Sequence, residues 1–507
     1  MDQRTPARTP ARTPARGMAP TPARDTALTP ARTPARTPAR TPRWAGAAVL
    51  LLALAVLAPA CTAGASGVRG TPGASGVRDP YFPKLGNGGY DVTHYDLTLD
   101  VGPGAKRLRG TAEITARATQ DLSSFNLDLA GLTVESATVE GRPAAVNRAG
   151  NELTLRPDIQ VQDRLRRGLT FRTVVRYSGT PQTITDPDGS KEGWLPTADG
   201  AVALGEPTGS MAWFPGNNHP SDKATYDLSV TVPKGLTAVS NGVLAGPPKT
   251  SGDRTTYRWH TAEPMASYLA TLAVGRFETK TSTMAGGIKV ITAVDPVSAK
   301  ASAATVARIP EVVEWEAAHF GPYPFSATGA IVERKGDAGY ALETQNRPFF
   351  HGAPSVALLV HEMAHQWFGD SVTPASWQDM WLNEGLATYG EWLWEEEKAD
   401  TPAQESFDEA YENDDNWAFP PADPPSAANI SDPPVYGRGA MVIHKIREAV
   451  DDDQRFFALL AGWTKAYRHG NATTADFTAY VEKATGQDLT ELWKTWLYGK
   501  SRPAADG

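Results

Sequence analysis

The chain has 507 residues, which is too long for one hydrophobic core and indicates two or three domains with additional segments. Its formal net charge of −8 hides an asymmetry, because residues 1–60 carry a balance of +7 and the remainder carries −15. An acidic body with no basic patch argues against nucleic-acid binding and is consistent with an exported protein.

Residues 1–60 are predicted to be a signal peptide with a long, low-complexity leader. Thr-Pro-Ala-Arg repeats fill most of residues 5–43, and such a sequence cannot form a core. An apolar run from Trp44 to Ala60 follows, too short to favour a transmembrane helix. It ends in Ala-Pro-Ala, which fits signal-peptidase cleavage. Met18 is an alternative start of translation.

Cys61 is the only cysteine, so no intramolecular disulfide can form. Its place directly after the apolar run resembles the acylated cysteine of a bacterial lipoprotein, although Ala58 stands where Leu is usual. We expect a lipid anchor at the cell surface, with ordinary secretion as the alternative. Residues 61–84 contain Gly-Ala-Ser-Gly-Val-Arg twice, which predicts a flexible tether.

Residues 85–280 alternate between apolar and polar side chains with a period of two. Tyr226, Leu228, Val230 and Val232 share one face of such a segment, and residues 169–177 and 125–129 follow the same pattern. Gly, Pro and Asn separate these short segments, as turns between strands require. The pattern predicts an N-terminal β domain, an antiparallel β-sandwich or saddle.

Residues 281–500 are predicted to form a mainly α-helical domain, followed by a tail over 501–507. Only short strand-like segments remain, at 288–294 and 330–332. Helical patterns occupy 305–319, the segments around residues 361 and 384, 440–450 and 488–497. The last of these places apolar and Trp side chains along one stripe.

The sequence His361-Glu362-Met363-Ala364-His365 is the strongest functional signal. Positions i and i+4 lie on one face of a helix, so both imidazoles point together. With Glu384, nineteen residues after His365, they supply the ligand set of a catalytic zinc site with one open position. In this motif Glu362 is the general base. A buried helix with two satisfied histidines is the alternative.

The second segment counts against that alternative. Residues 381–389 also form a buried helical pattern and carry one acid, Glu384. A carboxylate in apolar surroundings is costly unless it is paired or bound to a metal. We therefore expect one Zn²⁺ per chain, held by His361, His365 and Glu384.

HEMAHQWFGD at 361–370 and WLNEG at 381–385 resemble the aminopeptidase N family of zinc gluzincins. LGEPT at 204–208, Ala341-Leu342-Glu343 and YGRGAMVI at 436–443 are similar to further motifs of that family. The resemblance runs from about residue 85 to about residue 500. It implies a multidomain α+β fold, with a thermolysin-like catalytic domain after the β domain. The helical C-terminal domain of many relatives is not expected, which would leave a more open active site.

The resemblance also implies roles for single residues. Tyr436 would stabilise the oxyanion. Glu206 and Glu343 would bind the free α-amino group of the substrate, and Ala341 would line the same site. YALET at 340–344 replaces the family's G-A-M-E-N, which leaves the side-chain preference open.

For two further residues, His219 and Asp379, the sequence predicts no direct part in the chemistry. GNNHP at 216–220 stands where the family has C-x-D-E-P, so His219 is expected to be a loop residue rather than a ligand. Asp379 could orient a zinc histidine or cap a helix.

The leading hypothesis is a zinc aminopeptidase acting on peptides with a free N-terminus. A zinc endopeptidase with a thermolysin-like core is the alternative within enzymes, and it has no use for paired acids at an amine site. A non-catalytic surface binding protein that kept the fold is the third possibility.

Overall fold

The structure is a computed structural model that describes residues 69–336 and 338–504. The predicted signal peptide, Cys61 and residues 505–507 of the predicted tail lie outside the described residues. Within these two ranges, no helix has both the length and the apolar character needed to cross a bilayer.

The strands of the described residues fall mostly before residue 295. They are β1 (Thr71–Pro72), β2 (Tyr90–Val101), β3 (Leu108–Ala118), β4 (Leu122–Asp128), β5 (Thr133–Val139), β6 (Arg142–Pro143), β7 (Ala145–Ala149), β8 (Glu152–Arg156), β9 (Thr170–Gly179), β10 (Thr183–Thr185), β11 (Lys191–Pro196), β12 (Ala201–Leu204), β13 (Lys223–Pro233), β14 (Thr237–Ser240), β15 (Val243–Leu244), β16 (Lys249–Ser251), β17 (Arg254–Ala266), β18 (Leu272–Gly275), β19 (Glu278–Thr283), β20 (Lys289–Val294), β21 (Ala327–Val332), β22 (Phe349–Phe350), β23 (Thr373–Pro374) and β24 (Asn471–Ala472).

The largest sheet has the order β15-β17-β13-β2-β3-β9-β5-β6, with β16 paired to β17. The predicted alternation is present: in β13 every second residue is buried, from Ala224 to Val232. The purely antiparallel prediction is wrong at one central position, because β13 pairs with β2 in parallel, Leu228 opposite Leu97. Parallel neighbours cannot be joined by a hairpin, and here about 120 residues separate the two strands, so local alternation could not reveal the pairing.

The remaining sheets are smaller, and two of them border the segments that carry Glu206 and Glu343. One has the order β10-β11-β12-β18-β14, another β1-β4-β8-β7, and a third β19-β20-β21-β22. Glu206 follows the end of β12, and Glu343 lies between β21 and β22. β19 runs across the predicted boundary at 280/281 and pairs with β20, and that domain boundary stays a prediction.

Helices dominate after residue 295. They are α1 (Ala299–Val306), α2 (Ile309–Phe320), α3 (Val356–Ala364), α4 (Trp381–Lys398), α5 (Ala403–Glu412), α6 (Gly439–Val450), α7 (Asp453–Ala466), α8 (Thr474–Thr485) and α9 (Thr490–Leu492), with π-helical turns at Pro434–Arg438 and Trp493–Leu497. The helix predicted over 305–319 is broken between α1 and α2, where Pro310 occupies the first turn of α2. The helix predicted over 488–497 is α9 followed directly by a π-helical turn.

Residues 69–84 of the predicted tether are part of the folded body, so the prediction of a flexible segment is wrong for them. β1 pairs with β4, and the Asp79 side chain is only 4% exposed. The Asp79 carboxylate accepts hydrogen bonds from the Ser376 hydroxyl at 2.8 Å and the Trp377 amide at 2.9 Å. The glycine and serine content of this segment predicted flexibility, but hydrogen-bond partners about 300 residues away hold the segment in place.

Candidate active site

α3 carries two of the predicted zinc ligands. Ser355 caps the helix by accepting a hydrogen bond from the Leu358 amide at 3.0 Å, as an N-cap serine does. His361 lies inside the helix and His365 at its C-terminal end. The i, i+4 spacing brings their Nε2 atoms to 3.1 Å from each other. Both rings are buried.

Glu384, in the first turn of α4, completes the group. Its Oε2 lies 3.3 Å from Nε2 of His361 and 3.5 Å from Nε2 of His365. α4 can approach the neighbouring helix closely because two glycines meet, and a Cβ on Gly439 would lie 2.9 Å from Cα of Gly385. The contact fixes the Glu384 turn against the start of α6.

The donor set fits a zinc ion. His361 Nδ1 lies 2.7 Å from Oε1 of Glu391, and His365 Nδ1 lies 3.0 Å from the Phe368 carbonyl oxygen. Both partners can only accept from these nitrogens, so the neutral rings direct the lone pairs of their Nε2 atoms toward each other and toward Glu384. Three acceptors at 3.1–3.5 Å match the roughly 3.3 Å between neighbouring ligands of a tetrahedral Zn²⁺ with bonds of about 2.0–2.1 Å.

The electrostatics of the group favour a cation. Burial lowers the pKa of His365, but the carboxylates of Glu343 and Glu384 more than compensate and the pKa rises to about 9. Burial lowers the pKa of His361, but the carboxylates of Glu384 and Glu391 stabilise the charged form of the ring, and the pKa lies well above its usual value. Burial raises the pKa of Glu384, yet both imidazoles hold it far below its ordinary range. Negative potential therefore converges where the three ligands meet.

Glu362 faces the same space. A carboxylate oxygen of Glu362, one of Glu343 and a nitrogen of His365 all lie within 4.8 Å of one another. Burial raises the pKa of Glu362 to about 8, although the two histidines oppose the rise. A carboxyl group whose pKa lies near neutrality can both accept and release a proton.

Glu206 and Glu343 come together beside the ligands. Carboxylate oxygens of Glu206, Glu343 and Glu384 lie within 4.8 Å of one another, and all three side chains are buried. The two acids reach this place from different parts of the chain. They form an anionic recess next to the predicted metal position, where an ammonium group would be a suitable partner.

Buried side chains hold the two segments that carry these acids. Glu192 accepts from the Gly209 amide at 2.8 Å and from the Thr208 amide at 3.1 Å, just after Glu206. Gln366, next to the ligand His365, donates from Nε2 to the Glu343 carbonyl oxygen at 3.3 Å.

Tyr436 lies on the π-helical turn Pro434–Arg438, and its ring stacks on the His361 ring with centroids 6.2 Å apart and planes 17° apart. π-Helical turns occur frequently at functional sites. Gly437 lets this turn pack tightly, because a Cβ there would lie 2.5 Å from Nδ2 of Asn416.

The remaining predicted residues have plainer surroundings. Ala341 is buried next to the bridge between Leu342 and Phe349. His219 is buried in a loop, with Nε2 3.3 Å from Oδ2 of Asp79, and does not join the ligand group. Asp379 accepts from the amide and hydroxyl of Thr474, the first residue of α8, whose N-cap is Thr473, so Asp379 binds the start of a helix without being its N-cap.

Sequence reasoning missed Glu391 and Glu192. A signal for Glu391 existed, because a residue seven positions after Glu384 returns to the same face of a helix after two turns. Glu192 had no local signal, since its partners Thr208 and Gly209 follow sixteen and seventeen residues later.

Comparison with known proteins gives a consistent result. Residues 345–496 match the model of the peptidase family M1 domain, and residues 197–269 match that of the peptidase M1 N-terminal domain. The M1 zinc metallopeptidase from Deinococcus radiodurans has a crystal structure that superposes with a TM-score of 0.77 at 30% identity. This comparison covers 84% of the present chain and 98% of that one. The chain belongs to the M1 family of peptidases.

Curated relatives of this M1 peptidase are longer proteins. The chain is 28% identical over 319 residues to probable aminopeptidase 2 of Sulfurisphaera tokodaii, covering 56% of the chain and 39% of the relative. It is 26% identical over 470 residues to aminopeptidase M1 of Arabidopsis thaliana, covering 84% and 51%. The chain thus spans about half or less of these relatives. The family membership confirms the predicted fold class, a mainly β N-terminal region followed by a helical catalytic region.

Proposed function

We propose that this M1 peptidase is a zinc-dependent aminopeptidase that removes the N-terminal residue of peptides and holds one zinc ion per chain. The observation that carries the proposal is the convergence of Glu206 and Glu343 beside the triad His361, His365 and Glu384. The triad accounts for hydrolysis, and the two additional acids account for a free amine at the substrate end.

His361, His365 and Glu384 would hold the zinc ion. When bound, zinc would polarise the scissile carbonyl and lower the pKa of the attacking water toward about 7. The residues of the chain supply the rest of the chemistry.

Glu362 accepts a proton from the attacking water and then delivers it to the nitrogen of the leaving amine. Burial raises the pKa of Glu362 above its usual value, so its carboxylate takes up a proton more readily than a solvent-exposed one would. Tyr436 donates from its phenol to the oxyanion that develops on the carbonyl oxygen. Its stacking on His361 places it beside the ligands.

Glu206 and Glu343 accept hydrogen bonds from the substrate α-ammonium group. Buried carboxylates are unfavourable unless a cation meets them, so a blocked or internal amide, which carries no charge, cannot take the place of the ammonium group. This arrangement limits cleavage to the first peptide bond. A mutant of the Deinococcus radiodurans enzyme has been crystallised with a Tyr-Ser-Ala substrate, which supports peptides as substrates of this structural type.

A panel of aminoacyl chromogenic amides, each with a free and an N-acetylated amine, tests the proposal. We expect hydrolysis of the free-amine forms only, lost on chelation and restored by Zn²⁺. Equal cleavage of the acetylated forms would indicate an endopeptidase instead. No hydrolysis by protein that contains one zinc per chain would indicate a non-catalytic binding protein.

We further propose that the protein is exported and anchored through an acylated Cys61. The apolar run ending in Ala-Pro-Ala directly before Cys61 supports this proposal. In a bacterial host, the wild-type protein should partition into the membrane fraction and Cys61→Ser into the soluble fraction. Membrane association that is unchanged by Cys61→Ser would refute the anchor.

A further inference from the structure

We propose that two buried arginines, Arg347 and Arg438, are positioning residues that divide the site between them. Arg347 holds the loop that carries Glu343, and Arg438 holds the turn that carries Tyr436. The inference rests on the proposed aminopeptidase function, because it assigns one arginine to binding of the substrate amine and the other to stabilisation of the transition state.

Arg347 lies four residues after Glu343 and its side chain is fully buried. Its guanidinium donates to three backbone carbonyls of other segments: Ser240, Gly242 at 2.7 Å and Ile291 at 3.2 Å. The Trp259 ring covers one face of the guanidinium, whose carbon lies 4.8 Å from the ring centroid. All four partners precede residue 295, so Arg347 fixes the loop 343–347 to the β-rich part of the chain.

Neighbouring bonds make this loop a single unit. The Asn241 side chain donates to the Gln345 carbonyl at 2.7 Å, and the Gly242 amide donates to the Asn346 side chain at 3.1 Å. The Thr344 hydroxyl donates to the Arg347 carbonyl oxygen at 2.7 Å. A shift of the guanidinium is therefore transmitted to Glu343.

Arg438 lies two residues after Tyr436 in the same π-helical turn and is also fully buried. Its guanidinium donates to the carbonyls of Trp496 at 2.9 Å and Gly499 at 2.6 Å, and to those of Phe419 and Thr495, both at 3.3 Å. The Trp417 ring lies beneath it at 4.9 Å. Carbonyls at the C-terminal end of a helical turn lack partners within the turn, so they are suitable acceptors for a cation.

Neither arginine forms an ion pair with any residue of the ranges 69–336 and 338–504. Burial lowers the pKa of Arg347 to about 9 and that of Arg438 to about 10, which shows how unfavourable each environment is for charge. A planar fork of donors, however, can bind several carbonyls in a fixed geometry, whereas an apolar side chain would bind none. The function of each arginine is therefore to hold a neighbouring site residue in place, Glu343 for Arg347 and Tyr436 for Arg438.

The two positions predict opposite kinetic effects. Tyr436 acts on charge that exists only in the transition state, so a displaced Tyr436 lowers kcat and leaves KM. Glu343 binds an ammonium group that is present in the substrate from the start, so a displaced Glu343 raises KM and leaves kcat.

Arg438→Lys and Arg347→Lys test this division, because lysine keeps the charge but loses the fork. With free-amine substrates and zinc-loaded protein, Arg438→Lys should lower kcat about tenfold with KM changed less than about twofold. Arg347→Lys should raise KM about tenfold with kcat changed less than about twofold. Arg148→Lys is the matched control, since Arg148 also donates to backbone carbonyls but lies on β7, away from the site residues in sequence, and it should change neither constant.

A double-mutant comparison separates positioning from general loosening of the fold. In the Tyr436→Phe background, Arg438→Lys should lower kcat by less than about twofold, because the phenol hydroxyl that Arg438 positions is already absent. In the Glu343→Gln background, Arg347→Lys should likewise have little further effect on KM. Full, multiplicative losses in these backgrounds would overturn the inference. The inference would also be overturned if both lysine variants changed the same kinetic constant. It would be overturned as well if the loss of activity in each variant simply followed the decrease in its unfolding temperature.

If a lysine variant does not fold, the ring beneath the same guanidinium is changed instead. Trp417→Leu should lower kcat and Trp259→Leu should raise KM, each about threefold, and the reverse pattern would overturn the inference. Failure of the proposed function is distinguishable, because wild-type protein would then fail to discriminate free from acetylated amines. Failure of this inference leaves wild-type discrimination intact.

Discussion

His361 can present its Nε2 lone pair to a metal only while Nδ1 keeps its proton, and Glu391 enforces that tautomer by accepting from Nδ1 at 2.7 Å. The carboxylate also orients the ring. His365 has a weaker partner, the Phe368 carbonyl at 3.0 Å. The hydrogen bond to Glu391 therefore fixes the His361 ring more strongly than the Phe368 carbonyl fixes the His365 ring.

Glu391→Ala should lower zinc affinity about 10- to 100-fold, because the His361 ring loses its partner and its fixed orientation. Competition with a chromogenic chelator measures the affinity directly, without reference to turnover. Glu397→Ala is the control on the same helix, since Glu397 accepts from Trp315 and His319 instead. Zinc affinities equal to wild type in both variants would contradict the role of Glu391.

Glu362→Gln should retain zinc and lower kcat by about 10²- to 10⁴-fold, because an amide cannot take a proton from water. Metal content by elemental analysis and steady-state kinetics on the same sample check both halves of the statement. Turnover near that of wild type would disprove the assignment of Glu362 as the base.

At the scale of elements, α2 contains a buried carboxyl group that the proposed chemistry does not use. Glu316 has no exposed surface, and neither of its oxygens has a hydrogen-bond partner among the residues that the structure describes. Burial raises its pKa well above the ordinary value of 4.5. The folded state therefore binds this proton more tightly than the unfolded state.

The sign of the effect follows from linkage. Below the unfolded pKa near 4.5, Glu316 is protonated in both the folded and the unfolded state, so its burial does not depend on pH. Above that pH the carboxyl group ionises freely only in the unfolded state, and the free energy of unfolding therefore falls as the pH rises. Glu316→Met should raise the free energy of unfolding by about 1–3 kcal/mol at pH 8 and by less at pH 4. Urea unfolding at the two pH values measures the difference. A variant less stable than wild type at pH 8 would show that the carboxyl group has a stabilising partner.

At the scale of the whole molecule, Asp79 joins three distant parts of the chain. Its carboxylate caps its own segment through the amides of Tyr81 and Phe82, contacts His219, and accepts from Ser376 and Trp377. Burial alone would raise its pKa, but these donors lower it to about 2. The site-bearing helices and the N-terminal segment are thereby linked through one side chain.

Asp79→Asn should lower the free energy of unfolding by about 2 kcal/mol at pH 7. Because the pKa of Asp79 is lower in the folded state than its unfolded value of 3.8, the ionised carboxylate stabilises the fold fully above that pH. The difference in unfolding free energy between wild type and Asp79→Asn should therefore narrow only below about pH 4, where protonation of Asp79 begins. Asp163→Asn is the control, because its ion pair with Arg69 is exposed and should contribute little. Equal stability of Asp79→Asn and wild type would show that the charge of Asp79 adds nothing to the stability of the fold.

The convergence of the three proposed zinc ligands could be predicted because their geometry is local: one helix fixes the His361–His365 spacing, and the second helix needs to supply only one acid. Alternating strands such as β13 were predictable for the same reason. Asp79 was not, because its partner Trp377 lies 298 residues away. Arg347 and Arg438 were missed likewise, since nothing in a single sequence marks which distant carbonyls a buried guanidinium will meet. The parallel pairing of β2 with β13 belongs to this class of long-range facts.

The two acids of the anionic recess come from different regions of the chain: Glu206 follows β12 in the β-rich region, and Glu343 precedes α3, the helix that carries the two histidines. Under the proposed function, restriction to the first peptide bond depends on how these two regions pair, and not on the metal-bearing region alone. A chimaera in which only the β-rich region is exchanged would keep His361, His365 and Glu384 but would replace Glu206, one of the two proposed acceptors for the amine. The proposed function thus implies that selection of the substrate end can change while the hydrolytic centre stays the same.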